Sequence, residues 1–498
     1  MKRRYPHFLA CLVALNLLIP ILGFSLSSAA EPPRNHWTIM HYGGVDNSAE
    51  QTIMSNYKQM KAGFVDDQGL ALIVLADRSP AYSDDSTVFG EDFTDTRLYR
   101  ITHDETERLD GGAEFPEITK TSNYEANTAD AQTLEKFIRF CKANYPAEHY
   151  ALIIYSHGGG MEMVFDEGNE GDWIYTAEMT DVLTAEESVD LIGLDVCMMG
   201  GIENAYQWRP GIDKFGAQAL IASAPSSAPW NYEKILERLR SGGGDNGEEN
   251  TMVGGKEKFY DPAFMTPRDL GGVIMEEICD MRMSYSWGYY DLTKVEAVKE
   301  KVDAFAVRLA NQGEKDDLEF IRGSGRIVRT MNYMFPPPLV SEDAWFFPYF
   351  DLYDLAQRTA ESRRFSKSIR SVAQEVMLAV DDFVVFSFEE HHGPGPVKFQ
   401  NGRNGIYITF PDGDRVYSGS GMPFWAQFIY YNALSVTGET PEGWPEEEFG
   451  SYPAYGKYLW CDDGATPGND TVENWFELLD SWFDTDNGPD GGLNKYQW

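Results

Sequence analysis

The first half of the chain alternates short apolar runs with helical periodicity, and this alternation constrains the fold more than any other feature. The runs are rich in β-branched and aromatic residues and lie at Trp37–Tyr42, Leu70–Ala76, Arg97–Thr102, Tyr150–Tyr155, Val189–Leu194 and Ala219–Ala222. Continuous apolar runs are typical of strands that are buried on both faces. Two intervening segments, Ala49–Lys61 and Ala131–Asn144, have helical spacing, and Asp130 is placed to cap the second. The alternation predicts an α/β fold with a mainly parallel sheet and helices on both faces.

The second half is organised differently. A stretch rich in Gly, Asn and Glu, Ser241–Lys256, is either a flexible loop or a boundary. Helical segments are predicted from about Asp269 to Asn311 and from about Asp351 to Phe386, before a strand-like run at Gly405–Phe410. Single cores stop growing near ~250–300 residues, so 498 residues form either one domain with a large C-terminal elaboration or two domains. We divide the chain into a signal peptide (1–30), a catalytic core (31–240), a Gly-rich loop (241–257), a helical elaboration with a returning strand (258–435) and an acidic, aromatic tail (436–498).

The N-terminal 30 residues have the layout of a secretory signal peptide. Lys2, Arg3 and Arg4 precede an apolar stretch, Phe8–Phe24, and small residues lead to a predicted cleavage site after Ala30. An uncleaved membrane anchor is the alternative, because an apolar stretch of ~17 residues can just span a bilayer. We expect a mature protein outside the cytoplasm, secreted or periplasmic, without a membrane span.

The charge balance excludes one class of partner. With 79 acidic and 41 basic residues, the net charge is −38. Such a chain repels nucleic acid and anionic membranes and favours cationic partners, although a solvated acidic surface alone explains the composition. We expect no nucleic-acid ligand.

Two strand ends carry residues suited to nucleophilic chemistry. The run at 152–156 leads into His157 and three glycines, and the run at 191–196 leads into Cys197 and Met198-Met199-Gly200-Gly201. If the two strands are parallel neighbours, both side chains emerge at the same edge of the sheet, as a thiol–imidazole pair requires. The sequence predicts Cys197 as nucleophile and His157 as general base or acid.

The residues that follow these two side chains support the prediction. The backbone N–H groups of Gly158 and Cys197 are candidates for an oxyanion hole, since glycine permits close backbone approach. The segment 202–206 has helical character, so we expect the sulfur at or near a helix N-terminus, where the thiolate is favoured.

Other candidate sites are weaker. After signal removal the chain has four cysteines without a C-x-x-C pair, which argues against a zinc site and a dense disulfide framework. An acidic segment with Asp484, Asp486 and Asp490 resembles a calcium loop but lacks the EF-hand register, and Glu389-Glu390-His391-His392 lacks helical metal-ligand spacing. The absence of G-x-S-x-G and G-x-x-x-x-G-K-[ST] argues against a serine hydrolase of the usual α/β type and against nucleotide hydrolysis.

Several segments resemble the clostripain family of cysteine peptidases, over roughly residues 37–435. They are Asp46-Asn47, Asn127 through Gly160, Asp195-Val196-Cys197-Met198-Met199, Trp230-Asn231-Tyr232, Asp351-Leu352-Tyr353-Asp354 and Gly405-Ile406-Tyr407-Ile408-Thr409-Phe410-Pro411.

This resemblance implies a caspase-like three-layer α/β/α sandwich, a His157–Cys197 dyad, and cleavage of peptides or proteins after basic residues. It places the acidic residue of the substrate pocket on Asp195, although Ala224–Pro229 lacks an acidic residue that related sequences tend to carry nearby. It implies no required cofactor, with calcium dependence possible, and self-processing, for which Lys214 and Lys256 are candidate positions. A catalytically silent binding protein for a cationic partner is the alternative function.

Overall fold

A computed structural model describes residues 35–65, 69–241, 258–281, 286–312, 317–318, 349–389, 399–410, 458–462 and 471–483. These described residues form one compact unit. Among the helices so described, none has both the length and the apolar character needed to cross a membrane.

A nine-stranded sheet dominates the described part of the chain. Its strands are β1 (Asn35–Val45), β2 (Leu70–Arg78), β3 (Thr96–Ile101), β4 (Thr106–Arg108), β5 (Ala147–Tyr155), β8 (Val189–Asp195), β9 (Ala217–Ser223), β10 (Ser286–Asp291) and β12 (Val384–Glu389). They lie in the order β12-β10-β9-β8-β5-β1-β2-β3-β4. The five central strands, from β9 to β2, are parallel, and antiparallel strands complete both edges. The predicted mainly parallel sheet is confirmed.

Two smaller sheets accompany the large one. A hairpin joins β6 (Glu162–Asp166) to β7 (Asp172–Tyr175), and β11 (Tyr349–Asp351) pairs with β13 (Tyr407–Thr409). The second pair brings together residues that are far apart in sequence, and it lies next to the loop after β8, since Tyr407 N donates to Gly200 O at 3.0 Å.

Helices cover both faces of the large sheet, as the alternation of strands and helices predicted. One apolar core contains side chains from α1 (Glu50–Gly63), α5 (Tyr232–Glu237) and α6 (Pro267–Asp280). The other contains side chains from α2 (Ala131–Asn144), α3 (Thr176–Val182), α4 (Ile202–Gln207), α7 (Val295–Gln312), α8 (Leu352–Glu361), α9 (Lys367–Phe383), α10 (Leu459–Asp462) and α11 (Trp475–Phe483). Short 3₁₀ turns lie at Ala185–Glu187 and Leu292–Lys294. The architecture is a three-layer α/β/α sandwich.

The apolar strands divide their side chains between the two cores. In β5, Leu152 and Ile154 belong to one core, and Ile153 and Tyr155 belong to the other. This is the consequence of the two-residue period of a strand, and it explains why the sequence shows a continuous apolar run rather than an alternating one. The cap of α2 is also as predicted, because the Asp130 side chain accepts a hydrogen bond from Gln132 N at 2.8 Å.

The direction in which the sheet grows reverses between β1 and β5. From β1 the chain adds β2 on one side, and it later adds β5, β8 and β9 on the other side. In open parallel sheets, such a reversal leaves a crevice beyond the carboxyl ends of the two strands, where loops diverge. The residues after β1 and β5 therefore border a natural site.

The structure corrects two predicted helical segments. The segment from Asp269 to Asn311 contains β10 between α6 and α7, and the end of the segment Asp351–Phe386 is the start of β12. Strand β10 pairs antiparallel with β9, and β12 pairs antiparallel with β10 at the edge of the large sheet. This sheet therefore takes strands from both sides of the Gly-rich loop.

Several predicted features fall on residues outside the described ranges. They are the signal peptide (1–30) and most of the Gly-rich loop, which includes Lys256. The pair His391-His392, the acidic segment around Asp484–Asp490 and most of the tail (436–498) also lie outside these ranges.

Candidate active site

His157 lies two residues beyond β5 and is partly exposed. Its Nε2 lies 2.9 Å from the hydroxyl of Ser48, which follows β1. Partial burial lowers the pKa of His157 below its ordinary value, and the nearby Glu167 carboxylate opposes this shift. The imidazole is therefore predominantly neutral at neutral pH and can accept a proton.

Cys197 lies two residues beyond β8 and is also partly exposed. The backbone N–H of Ser227 donates to its Sγ at 3.3 Å, and the Ser227 hydroxyl lies 3.7 Å from the sulfur. Ser227 belongs to the loop after β9, which is held by hydrogen bonds from the Ser223 hydroxyl to Pro225 O and Ser226 O. The sulfur thus receives an N–H donor from a neighbouring strand end.

The fold brings the two predicted residues to one edge of the sheet. Strands β5 and β8 are parallel neighbours, and Tyr155 at the end of β5 pairs with Asp195 at the end of β8. His157 and Cys197 each lie two residues beyond this pair. A Cβ atom placed on Gly158 would lie 2.8 Å from Cys197 O and 2.4 Å from Val196 Cγ1. The two loops are therefore in direct contact, and only glycine fits at the contact.

No hydrogen bond joins the His157 imidazole to Cys197 Sγ within the described residues, because each side chain is paired with a serine instead. Catalytic hydrogen bonds are often long or poorly aligned without substrate and tighten in the substrate complex. The thiol and the imidazole of a candidate pair therefore lie at the same edge of the sheet without a direct hydrogen bond between them among the described residues.

In the hairpin after His157, the N–H of Gly158 has no hydrogen-bond partner among the described residues. Its flanking hydrogen bonds run from Gly159 N to Glu162 O and from Val164 N to His157 O. Gly158 itself stands opposite Met163 as a non-hydrogen-bonded pair. Its N–H can therefore serve as a donor to a substrate oxygen.

The residue after Cys197 has a left-handed backbone. Met198 has φ of 61°, which is uncommon for a side chain other than Gly, Asn or Asp. Its N–H donates to Pro225 O at 2.8 Å, and its carbonyl accepts from the Tyr407 hydroxyl at 2.8 Å. Bonds at both ends of this residue hold the sharp turn that presents Cys197.

A pair of tyrosines from β11 and β13 contacts both loops. Tyr349 and Tyr407 stack with ring centroids 4.1 Å apart. The Tyr349 hydroxyl donates to Gly159 O at 2.7 Å, in the loop after His157, while Tyr407 bonds the loop after Cys197. This stacked pair connects the C-terminal part of the chain to both loops, and we refer to it as the tyrosine clamp.

Asp195 lies beneath the site and is only 1 % exposed. Its Oδ2 accepts hydrogen bonds from the Tyr232 hydroxyl at 3.0 Å and from Trp230 N at 3.3 Å, both from the start of α5 or just before it. Its Oδ1 is buried and has no hydrogen-bond partner among the described residues. Burial raises the pKa of Asp195 to about 8, and the two donors oppose this rise.

The predicted helix after Cys197 is present at Ile202–Gln207, and four residues separate Cys197 from its start. The helix dipole acts mainly within the first turn, and the donor at the sulfur is the N–H of Ser227.

Sequence reasoning missed three kinds of contact: the two serines, the tyrosine clamp and the bond from Tyr232 to Asp195. The resemblance had placed the loop at 224–229 near the substrate pocket, but not its contact with the sulfur. Ser48 could have been found, because it follows the first strand directly after the resemblance at Asp46-Asn47. The others depend on pairings that span 30 residues or more.

The described cysteines at 141, 197, 279 and 461 form no disulfide. Burial raises the pKa of Cys141 far above its ordinary value, which makes this thiol inert. Cys197 is the described cysteine that lies at the carboxyl ends of the parallel strands.

A three-layer sandwich with a thiol and an imidazole beyond neighbouring parallel strands is characteristic of the caspase-like cysteine peptidases. Comparison with known proteins agrees: residues 41–482 match the clostripain family. The chain belongs to the clostripain family and is a cysteine-type endopeptidase.

Clostripain of Hathewaya histolytica is 41 % identical over 488 residues, which cover 93 % of this chain and 89 % of that protein. Among solved structures, an inactive zymogen C11 protease from Parabacteroides distasonis gives a TM-score of 0.51 at 16 % identity, covering 76 % of this chain and 93 % of that one. A secreted C11 cysteine protease from Bacteroides thetaiotaomicron gives 0.50 at 12 % identity, covering 76 % and 94 %. The two structures share the fold with this chain.

Proposed function

We propose that the protein is a secreted cysteine endopeptidase that cleaves after Arg or Lys, with Cys197 as nucleophile and His157 as its base and acid. The observation that carries the proposal is the contact between the loops after β5 and β8, where Gly158 lies against Cys197. Both reactive side chains are partly exposed, so a peptide can reach them.

In the proposed reaction, His157 accepts the thiol proton as Cys197 Sγ attacks the carbonyl carbon of the scissile peptide bond. The N–H groups of Gly158 and Cys197 donate to the oxyanion that forms. The carbon–nitrogen bond then breaks, and His157 gives its proton to the leaving amine. Water hydrolyses the thioester with His157 as base, which releases the new carboxylate and restores the thiol.

The preference for a basic residue at P1, the substrate residue on the acyl side of the scissile bond, rests on Asp195. Its buried Oδ1 has no partner among the described residues, and a guanidinium or ammonium group would supply one. The net charge of −38 would also favour the approach of cationic substrates.

Secretion rests on the N-terminal sequence, whose basic, apolar and small-residue segments match a signal peptide. The proposed reaction uses only groups of this chain and requires no cofactor, and calcium dependence stays a prediction.

The test compares the full-length protein with Cys197→Ala, His157→Ala and the control Cys279→Ala, which removes another partly exposed thiol. Each is incubated with a peptide panel that varies only at P1 and with an acyloxymethyl-ketone probe. We expect labelling and cleavage after Arg and Lys in the wild type and the control, and at least a thousandfold loss of kcat in the Cys197 variant.

Cleavage that persists in Cys197→Ala would refute the nucleophile. Mass spectrometry of the secreted wild type and Cys197→Ala proteins would report the signal cleavage and any self-processing. Partner capture without any hydrolysis would instead support a silent binding protein.

A further inference from the structure

The two oxygens of Asp195 have different surroundings. Oδ2 is held by two donors from one short segment, the Tyr232 hydroxyl at 3.0 Å and Trp230 N at 3.3 Å. Oδ1 is equally buried and has no hydrogen-bond partner among the described residues. A buried acceptor without a partner costs free energy, so this oxygen is suited to a ligand.

Tyr232 is itself fixed in place. Its ring lies edge-on to His41 of β1, with centroids 5.5 Å apart, and stacks on Trp230 at 5.9 Å. It is 3 % exposed and begins α5, which Asn231 caps through Lys234 N. The hydroxyl therefore reaches Asp195 from a rigid support.

We propose that Tyr232 is a positioning residue for P1 recognition: it holds Oδ2 of Asp195 so that Oδ1 faces the incoming P1 cation. This inference rests on the proposed function and adds the residue that orients the pocket acid. Tyr232 acts through Asp195 and does not touch the reacting atoms.

The pKa of Asp195 also depends on whether the titratable groups around it are charged. Tyr155 on β5 and Tyr232 are phenols whose pKa burial raises far enough that both stay neutral at neutral pH. Burial lowers the pKa of His41, behind Tyr232, to about 3, so it is neutral as well. Cys197 lies two residues along the chain from Asp195, and both residues contribute electrostatically to the raised pKa of Tyr155.

Burial raises the pKa of Asp195 to about 8, and the hydrogen bond from Tyr232 lowers it. Near neutral pH, much of the enzyme therefore carries a proton on this carboxyl. Binding of a cationic P1 side chain favours the carboxylate, and the proton leaves to solvent. The kcat/KM for such substrates should rise as pH increases towards about 8.

The test is Tyr232→Phe in the full-length protein, with Tyr57→Phe as the matched control. Tyr57 is also buried and edge-on to His41, at 5.6 Å, but its hydroxyl points to Leu75 O rather than to Asp195. Two profiles are measured against pH: kcat/KM for a P1-Arg peptide, and the rate of Cys197 alkylation by iodoacetamide, which needs no P1 pocket.

In Tyr232→Phe we expect kcat/KM for P1 Arg to fall by roughly tenfold to a hundredfold, mainly through KM. The acidic limb of its pH profile should move to higher pH, because the carboxylate loses a donor. The alkylation profile should not change, and Tyr57→Phe should behave as the wild type in both measurements.

An unchanged P1-Arg profile would overturn the proposal, and so would an equal loss in alkylation, since this would indicate general disruption of the site.

Asp195→Asn is the second variant. It should keep the two donors, abolish discrimination between P1 Arg and P1 citrulline, and melt at an equal or higher temperature at pH 8 than the wild type. If the wild-type protein is alkylated at Cys197 but cleaves no peptide, the proposed function as a whole is refuted. If it cleaves peptides without P1 selectivity, only the role of Asp195 in P1 recognition is refuted, and with it the positioning role of Tyr232.

Discussion

At the scale of single residues, the site depends on positions where the backbone tolerates very few side chains. Met198 turns the chain with a φ of 61° directly after Cys197, and Gly158 fills the contact between the two loops. Left-handed backbone costs roughly 1–2 kcal/mol for a residue other than glycine, so the surrounding hydrogen bonds must maintain the turn at Met198. The turn that presents Cys197 is thus stabilised by neighbouring residues rather than by the conformational preference of Met198.

Gly158→Ala should disturb the site more than the fold. Its Cβ would lie 2.4 Å from Val196 Cγ1 and 2.8 Å from Cys197 O, so the loops must separate. We expect a loss of about 1–3 kcal/mol in the free energy of unfolding and a fall in kcat of roughly tenfold or more. Denaturant unfolding and steady-state kinetics measure the two effects.

The control for this variant is Gly211→Ala. Gly211 has φ of 87°, and no atom lies within 4 Å of the position that a Cβ would take, so its substitution carries a backbone cost without a steric contact. It should lose stability by about 1–2 kcal/mol and keep its kcat. Equal kcat in both variants would contradict the role assigned to the contact at Gly158.

At the scale of secondary-structure elements, two strands from the C-terminal half complete the site. Strands β11 and β13 carry the tyrosine clamp, which bonds Gly159 O on one side and Met198 O on the other. Because these bonds reach both loops, the positions of His157 and Cys197 depend on segments that are remote from them in the sequence.

Tyr407→Phe should reduce catalysis through geometry. Loss of its hydroxyl leaves the Met198 carbonyl buried without that donor, and the turn after Cys197 can relax. We expect kcat to fall roughly tenfold with a smaller change in KM, and Cys197 alkylation to slow. Kinetics and iodoacetamide labelling test this.

Tyr42→Phe is the matched control for the clamp. Its buried hydroxyl also donates to a backbone carbonyl at 2.8 Å, but that carbonyl belongs to Thr128 and not to a residue of the loop after His157 or after Cys197. It should lose similar stability and retain its alkylation rate. An equal slowing in both variants would show that the effect is general destabilisation.

The elements also show where sequence patterns stop being informative. Helix α2 was predicted with its true bounds, because its apolar spacing, polar flanks and capping Asp130 are local signals. Strand β12 was missed because it follows Phe383, the last residue of α9, without a break. Strand β10 is a short aromatic segment between two helices, and only its pairing with β9 and β12 makes it a strand.

At the scale of the whole molecule, the protein buries several acids that stay protonated up to near-neutral pH. Burial raises the pKa of Asp195 and Glu162 to about 8 and that of Asp351 to about 7, and burial with repulsion from Asp166 raises that of Asp77 to about 8. These groups are distributed over strands β2, β6, β8 and β11. Their ionisation therefore affects the stability of the entire fold.

Thermal stability should decrease as pH rises from about 5 to about 9. These acids have a higher pKa in the folded chain than the ~4 of the unfolded chain, so the folded state binds more protons in this range. Their stabilising contribution is present in full below pH ~4 and is lost as pH rises through about 7 to 8. Mutual repulsion within a chain of net charge −38 acts in the same direction.

The measurement is the unfolding temperature of the Cys197→Ala protein, which avoids self-digestion, at constant ionic strength. Adding Asp195→Asn should make the decline with pH shallower, because one buried ionisation is removed. A midpoint that rises with pH over this range would contradict the argument.

The sequence by itself determined the class of fold, the succession of its central strands and helices, and the two residues proposed for catalysis. These features are encoded locally, in apolar periodicity, in caps and in glycines that follow strands, so they can be read without knowing what each segment contacts. Only the tertiary structure decided that Asp195 is buried, with one oxygen hydrogen-bonded and the other without a partner among the described residues. It also decided that Ser227 contacts the sulfur and that two tyrosines remote in sequence bond both loops. Those contacts depend on strand register and on pairings between remote segments, and their energies exist only once the chain is folded.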